Sequence, residues 1–350
     1  MNYSGVPEPG IEVQPKHYIC RRASGKLKLD GRLDKPFWEK AEWTEDFVDI
    51  EGELKPRPPK RTRVKMLWDD DYFYVGAELE EDEIWATLTE RDSVIFHDND
   101  FEIFIDPDGD THNYYEFEIN AWNTVWDLLL PKPYRDGGPA INGWDIHGLE
   151  TAVYIEGEIN NPSADNRKWS LEVAMPWSSL KECAPEGRGP RAGECWRVNF
   201  SRVEWHVEIK DGQYVKRLDP ATGKPLPEEN WVWSPMGIIN MHYPELWGYV
   251  MFADHEQAEF ALPPDEGIKR LLRKVYYRQR NYYAEHGVFS DRLDILLGEA
   301  EKGWDDGLLD LKLETTSSLF QVSARSSDGR SRVCIREDGK LWTEQEGARE

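Results

Sequence analysis

A turn of three aspartates joins two runs of strand formers, and this pairing does most to limit what the chain can fold into. Thr62, Val64, Met66 and Trp68 alternate into Asp69-Asp70-Asp71, and Phe73, Val75 and Ala77 alternate with Tyr72, Tyr74 and Gly76 out of it. Alternation of period two on both sides of a short polar tip specifies a β-hairpin, because successive strand side chains point to opposite faces. The texture continues from Lys26 to about Ala253, as short alternating runs broken by Gly, Pro, Asp and Asn. It predicts strands at Thr62–Trp68, Tyr72–Glu80, Asp100–Asp106, Tyr114–Asn120 and Val125–Leu130. Further strands are predicted at Leu149–Ile155, Lys168–Pro176, Cys195–Glu204 and Trp247–Phe252. Short strands at this spacing build a mainly β protein, an antiparallel β-sandwich of the jelly-roll kind.

The grammar changes at Pro263-Pro264. Beyond it Ile268, Leu271, Leu272, Val275, Tyr276 and Tyr282 recur at helical spacing over Glu266–Ala284, with Gly287 as the stop. A short helix at Asp291–Leu297 and small strands at Leu319–Ser323, Ser331–Glu337 and Leu341–Thr343 follow. The expected organisation is a lead-in over 1–25, a sandwich over 26–262 and a small α+β extension over 263–350, packed on the sandwich.

Charge and motifs narrow the function. With 67 acidic against 43 basic residues the formal net charge is −24, which repels phosphate backbones and anionic lipid, so neither nucleic acid nor membrane is expected as a partner. The first residues lack the basic and apolar segments of a signal peptide, so the chain as given is expected in the cytoplasm, or outside the cell if a leader was removed. Cys20, Cys183, Cys195 and Cys334 are scattered, without metal-ligand spacing. No HExxH, GxSxG, phosphate-binding loop or dinucleotide fingerprint occurs.

The informative polar residues lie on two strands. In Asp100–Asp106 the alternation puts Phe101, Ile103 and Ile105 on one face, with Asp100, Glu102, Phe104 and Asp106 on the other. In Tyr114–Asn120 it sends Tyr115, Phe117 and Ile119 inward and Glu116, Glu118 and Asn120 outward. Carboxylates, an amide and aromatic plates on one face suit sugar hydroxyls and C–H faces, although solvated outer faces of sandwiches also read polar. Glu102 with Glu118, or Glu116 with Glu118, could instead form a glycosidase acid–base pair. A third reading is an interaction scaffold whose extension recruits a partner. Asp106, Asp108 and Asp110 surround a glycine turn at a density that suits Ca²⁺, without the bidentate glutamate of an EF-hand.

The order of features resembles the family 9 carbohydrate-binding modules. The resemblance is carried by Leu29–Asp34 with Phe37-Trp38, Val64–Val75, Asp98–Asp106, Tyr114–Asn120, Trp169–Trp177, Val198–Arg202, Trp233-Ser234-Pro235 and Trp247-Gly248, and it covers about Leu27–Phe252. It implies a jelly-roll-like sandwich with structural calcium, noncatalytic binding of a saccharide or glycoside, and a setting beside glycoside hydrolases in carbohydrate catabolism. The family's hydroxyl-binding carboxylate corresponds to Glu102, its amide to Asn120 and its arginine to Glu118. The two clamping tryptophans fall near His97 and Met241, so Trp122, Trp126, Trp144 or Trp205 would have to supply plates instead. The implied ligand set is Glu102, Asn120, Glu118, His97, Trp126 and Arg202, with Asp106, Asp108 and Asp110 holding Ca²⁺.

Overall fold

A computed structural model of the chain describes residues 3–298 and 309–346. The body contains β1 (His17–Arg22), β2 (Val48–Asp49), β3 (Thr62–Trp68), β4 (Tyr72–Glu80), β5 (Asp100–Asp106), β6 (Tyr114–Asn120) and β7 (Val125–Leu130). It continues with β8 (Glu150–Glu156), β9 (Lys168–Pro176), the single turn α1 (Trp177–Leu180), β10 (Cys195–Glu204), β11 (Val207–Lys210), β12 (Gln213–Lys216), β13 (Glu229–Val232) and β14 (Gly248–Ala253). Twelve of these strands form one sheet in the order β7-β6-β5-β10-β14-β1-β3-β4-β9-β8, with β13 attached to β10 and β2 to β13.

The sheet curls until its two halves face each other, which makes a sandwich. Val64, Phe73, Val75 and Leu171 of one half share a core with Phe101, Ile103, Phe117 and Phe200 of the other. These are the inward positions that the alternation predicts. His17–Arg22, within the span read as a lead-in, runs parallel to both β14 and β3 and joins the two halves. The opening hairpin forms as expected, with Trp68 opposite Phe73. Asp69 holds its tip by accepting from the amides of Asp71 at 2.9 Å and Tyr72 at 2.8 Å and from the Tyr74 hydroxyl at 2.7 Å. Trp68 is buried and donates its indole N–H to the Ala253 carbonyl at 3.0 Å.

The extension contains α2 (Glu266–His286), α3 (Leu293–Leu296) and a four-stranded sheet of β15 (Lys312–Thr315), β16 (Phe320–Arg325), β17 (Ser331–Arg336) and β18 (Leu341–Gln345). Gly287, at φ +73°, ends α2 in the left-handed conformation that glycine adopts most easily. The apolar stripe Ile268, Leu271, Leu272 and Val275 is buried in a second core. That core also takes Phe104, Tyr114, Leu128 and Leu130, which stand on the outer face of β5, β6 and β7. The extension therefore roofs part of the face on which the acidic residues stand.

Candidate functional site

Strand register arranges that outer face in rows. Ser201 on β10 stands opposite Glu102 on β5, Glu102 opposite Glu118 on β6, and Glu118 opposite Trp126 on β7. The next row runs Asn199, Phe104, Glu116, Leu128, and the row on the other side starts Val203, Asp100, Asn120. Alternation alone brings this polar set together, since all of it has the parity opposite to the core residues.

A cavity of about 360 Å³ opens over these rows, within the range of small-molecule sites. Its floor is Glu102, Glu116 and Glu118, and its walls include Phe96, Trp126, Tyr134, Met241 and His242. Larger depressions of about 460 and 410 Å³ lie elsewhere, bordered by ion-paired side chains such as Lys60 with Glu81 and Arg22 with Asp70. Phe96 is fixed to the floor by its own amide, which donates to Glu118 Oε2 at 2.9 Å. His242 is held by a 2.9 Å hydrogen bond between Nδ1 and the Tyr114 hydroxyl, and burial with the nearby Arg135 charge lowers its pKa to about 3, so it is neutral.

The floor is buried and, among the described residues, has no countercharge. Glu102, Glu116, Glu118 and Asp100 are all buried, and no ion pair reaches them among the described residues. Burial raises the pKa of Glu102 to about 7. Burial and then the Glu102 charge raise those of Asp100, Glu116 and Glu118 well above the carboxylate range. Glu102 Oε2, both oxygens of Asp100, the Ser201 hydroxyl and Trp126 Nε1 have no hydrogen-bond partner. Buried polar atoms are normally satisfied, so this concentration singles the cavity out as the candidate site.

The structure thus brings Glu102, Glu118 and Trp126 together and places the other expected ligands elsewhere. Asn120 is spent on the fold. Its Nδ2 donates to the Leu88 carbonyl at 2.8 Å and to Asp98 at 3.0 Å, and its Oδ1 accepts from the amides of Trp122 and Thr124 at 3.0 and 3.1 Å. His97 is exposed and stands outside the cavity, its ring edge-on to Phe96. Arg202 has the parity of Phe200 and is buried on the opposite face of β10, bonded to Glu81 at 2.5 Å and Glu204 at 2.9 Å. Neither Arg202 nor Asn120 has a donor left to offer a ligand in this cavity. Tyr134, Met241, His242 and Glu228 enter from loops, where no periodicity announces them; only Met241 was marked, by its position in the family pattern.

The Asp106–Asp108–Asp110 turn forms a compact carboxylate trio, with ligand oxygens within 4.8 Å of one another. Asp106 is buried and accepts from the amides of Gly109 at 3.1 Å and Thr111 at 3.0 Å, while Lys340 of the extension approaches Asp110 to 3.3 Å. Two further trios meet the same distance limit, Asp92–Asp127–Asp145 and Asp100–Glu102–Glu118.

Residues 29–131 match the family described as carbohydrate family 9 binding domain-like. The chain is similar to that family over this span. It is 22% identical over 156 residues to the exoglucanase XynX of Acetivibrio thermocellus, a match covering 45% of this chain and 12% of that protein's length. Among solved structures, a candidate carbohydrate-binding protein of Bacteroides uniformis ATCC 8492 aligns with TM-score 0.49 and 14% identity, over 68% of this chain and 100% of that one. A family 9 carbohydrate-binding module of Caldicellulosiruptor kristjanssonii in complex with cellotriose aligns with TM-score 0.42 and 18% identity, over 71% of this chain and 100% of that one.

Proposed function

We propose that this protein binds a saccharide without cleaving it, in the cavity floored by Glu102 and Glu118. The observation that carries the reading is the pairing of an unpartnered buried acceptor, Glu102 Oε2, with an unpartnered buried donor, Trp126 Nε1, in one aromatic-walled cavity. A sugar hydroxyl both donates and accepts, so one ring can satisfy both atoms while its C–H face lies on Phe96 or Tyr134. Glu102 and Glu118 are directly opposed on neighbouring strands and project side by side from the same face, where both can accept from the hydroxyls of one sugar. The family match and the exoglucanase relative support a setting in carbohydrate catabolism, and the Asp106–Asp108–Asp110 turn is the candidate for a structural Ca²⁺.

Isothermal titration with glucose, cellotriose and a wider panel of neutral mono- and oligosaccharides tests the reading. Heat is expected with at least one of them, abolished by Glu102→Ala and weakened roughly tenfold by Trp126→Phe, the effect of one hydrogen bond lost to the ligand. Silence across the panel, or unchanged affinity in Glu102→Ala, would overturn it.

A further inference from the structure

We infer that Asp100, Glu102 and Glu118, together with the Ser201 hydroxyl, form a binding site for one hard divalent cation, Ca²⁺ or Mn²⁺, beneath the cavity floor. The geometry is that of ligands around a single ion. One oxygen from each of the three carboxylates lies within 4.8 Å of the others. Two oxygens on one Ca²⁺ stand at most about twice its 2.3–2.6 Å ligand distance apart, roughly 4.6–5.2 Å. A hydroxyl adds a fourth oxygen from a different strand. Ser201 is fully buried, unpartnered, and opposite Glu102 in register with the same facing.

The two other carboxylate trios supply the contrast. Asp92–Asp127–Asp145 already has a resident cation, because Arg91 bonds Asp127 and reaches Asp145 at 2.9 Å. Asp106–Asp108–Asp110 has Lys340 at 3.3 Å from Asp110. Asp100–Glu102–Glu118 is the most deeply buried of the three and has neither lysine nor arginine bonded to it among the described residues. Neither oxygen of Asp100 is hydrogen-bonded to Glu102 or Glu118, so a proton shared between neighbouring acids does not account for its placement. Buried charge without a partner is among the least tolerable features of a folded protein, and a divalent ion removes the difficulty in one step. Entry is open, since Glu102 and Glu118 also line the cavity above. The inference concerns the ion alone and stands whether or not a sugar binds there.

The test uses the full chain carrying Asp108→Asn and Asp110→Asn, which silences the turn, stripped with EDTA and desalted. Equilibrium dialysis against MnCl₂ with electron paramagnetic resonance counts bound ions, and melting is followed in EDTA and in CaCl₂. One Mn²⁺ equivalent is expected in this parent, and none after adding Asp100→Asn or, separately, Glu102→Gln. The melting temperatures should cross. Each added substitution raises Tm in EDTA by removing a carboxyl that the fold buries without a countercharge, and abolishes the rise that CaCl₂ gives the parent. No Mn²⁺ bound by the parent at millimolar concentration, a count in either added variant equal to the parent's, or a lower Tm of Asp100→Asn in EDTA would overturn the inference. So would stabilisation by glucosamine with none by either ion, which would make the floor a site for an ammonium group instead.

Discussion

Two buried clusters of ionisable residues lie within one protein on either side of the cavity wall, and they are built on opposite rules. On the floor, Asp100, Glu102, Glu116 and Glu118 have no cation. Behind the wall, α2 faces the loops that carry Tyr134 and His242, and there Glu245 and Asp136 are each paired with arginine. Arg135 grips Glu245 at 2.7 and 2.9 Å and donates to the His242 carbonyl at 3.1 Å. Arg280 bonds Asp136, which also accepts from the Tyr276 hydroxyl at 2.7 Å, and the Tyr277 hydroxyl donates to Glu245 at 2.6 Å. Burial of ions is sustainable where each is paired and hydrogen-bonded. The matched set therefore reads as a rivet holding two cavity walls to the extension, and the unmatched set as the place left for what binds.

The comparison breaks most visibly at Arg280. Arg280→Met removes the nearest cation from buried Asp136, leaving it Arg135 at 3.4 Å and the Tyr276 hydroxyl, and is expected to cost about 3 kcal/mol of stability by denaturant unfolding. Replacing both partners, as Arg280→Met with Asp136→Leu, should recover much of that, because no charge is left unpaired. On the floor the corresponding neutralisation, Asp100→Asn in EDTA, should stabilise. Destabilisation by both changes would mean that the two regions follow one rule after all.

Acid gives the next effect. Burial opposes ionisation of Glu245, but Arg135 and Arg273 outweigh it and hold its pKa down at about 2. A carboxylate depressed in the folded state contributes stability that is complete above its unfolded pKa of roughly 4.5 and is lost as pH falls through the folded value. The wild type should therefore lose about 3 kcal/mol between pH 4.5 and 2 that Glu245→Gln does not. Parallel acid curves for the two proteins would show that Glu245 is not the anchor of the wall.

Much of the fold was legible in the sequence because alternation is local. Parity alone separates Phe101, Ile103 and Phe117 from Glu102 and Glu118, and the structure keeps that division. Parity also contained a signal about Arg202, which alternates with Ser201 and shares the inward face of Val198 and Phe200. Family position outweighed it in choosing Arg202 as a ligand. Asn120 was misread for another reason: a motif fixes the strand and the face, but not that Leu88 and Asp98 consume the amide. The strands β2, β11, β12, β13 and β15 span four residues or fewer, too short for a period to register. The stripe on α2 announces a helix, yet nothing in it says that its partner is the outer face of β5–β7, so the roofing of the acidic face became visible only in three dimensions.

The smallest test is the most selective. Tyr277→Phe removes one hydroxyl from the rivet, leaves both arginines on Glu245, and touches no cavity residue. Its stability cost should be about 1 kcal/mol, the worth of one hydrogen bond. If α2 positions the wall, sugar affinity should also fall a few-fold, because Met241 and His242 sit four and three residues from the loosened Glu245. Val333→Ala, in the extension's own core, is the matched control: it destabilises by about as much or more and should leave affinity unchanged. Equal affinity in Tyr277→Phe and Val333→Ala would assign the wall to the sandwich alone, whereas a loss confined to Tyr277→Phe makes the extension part of the binding site.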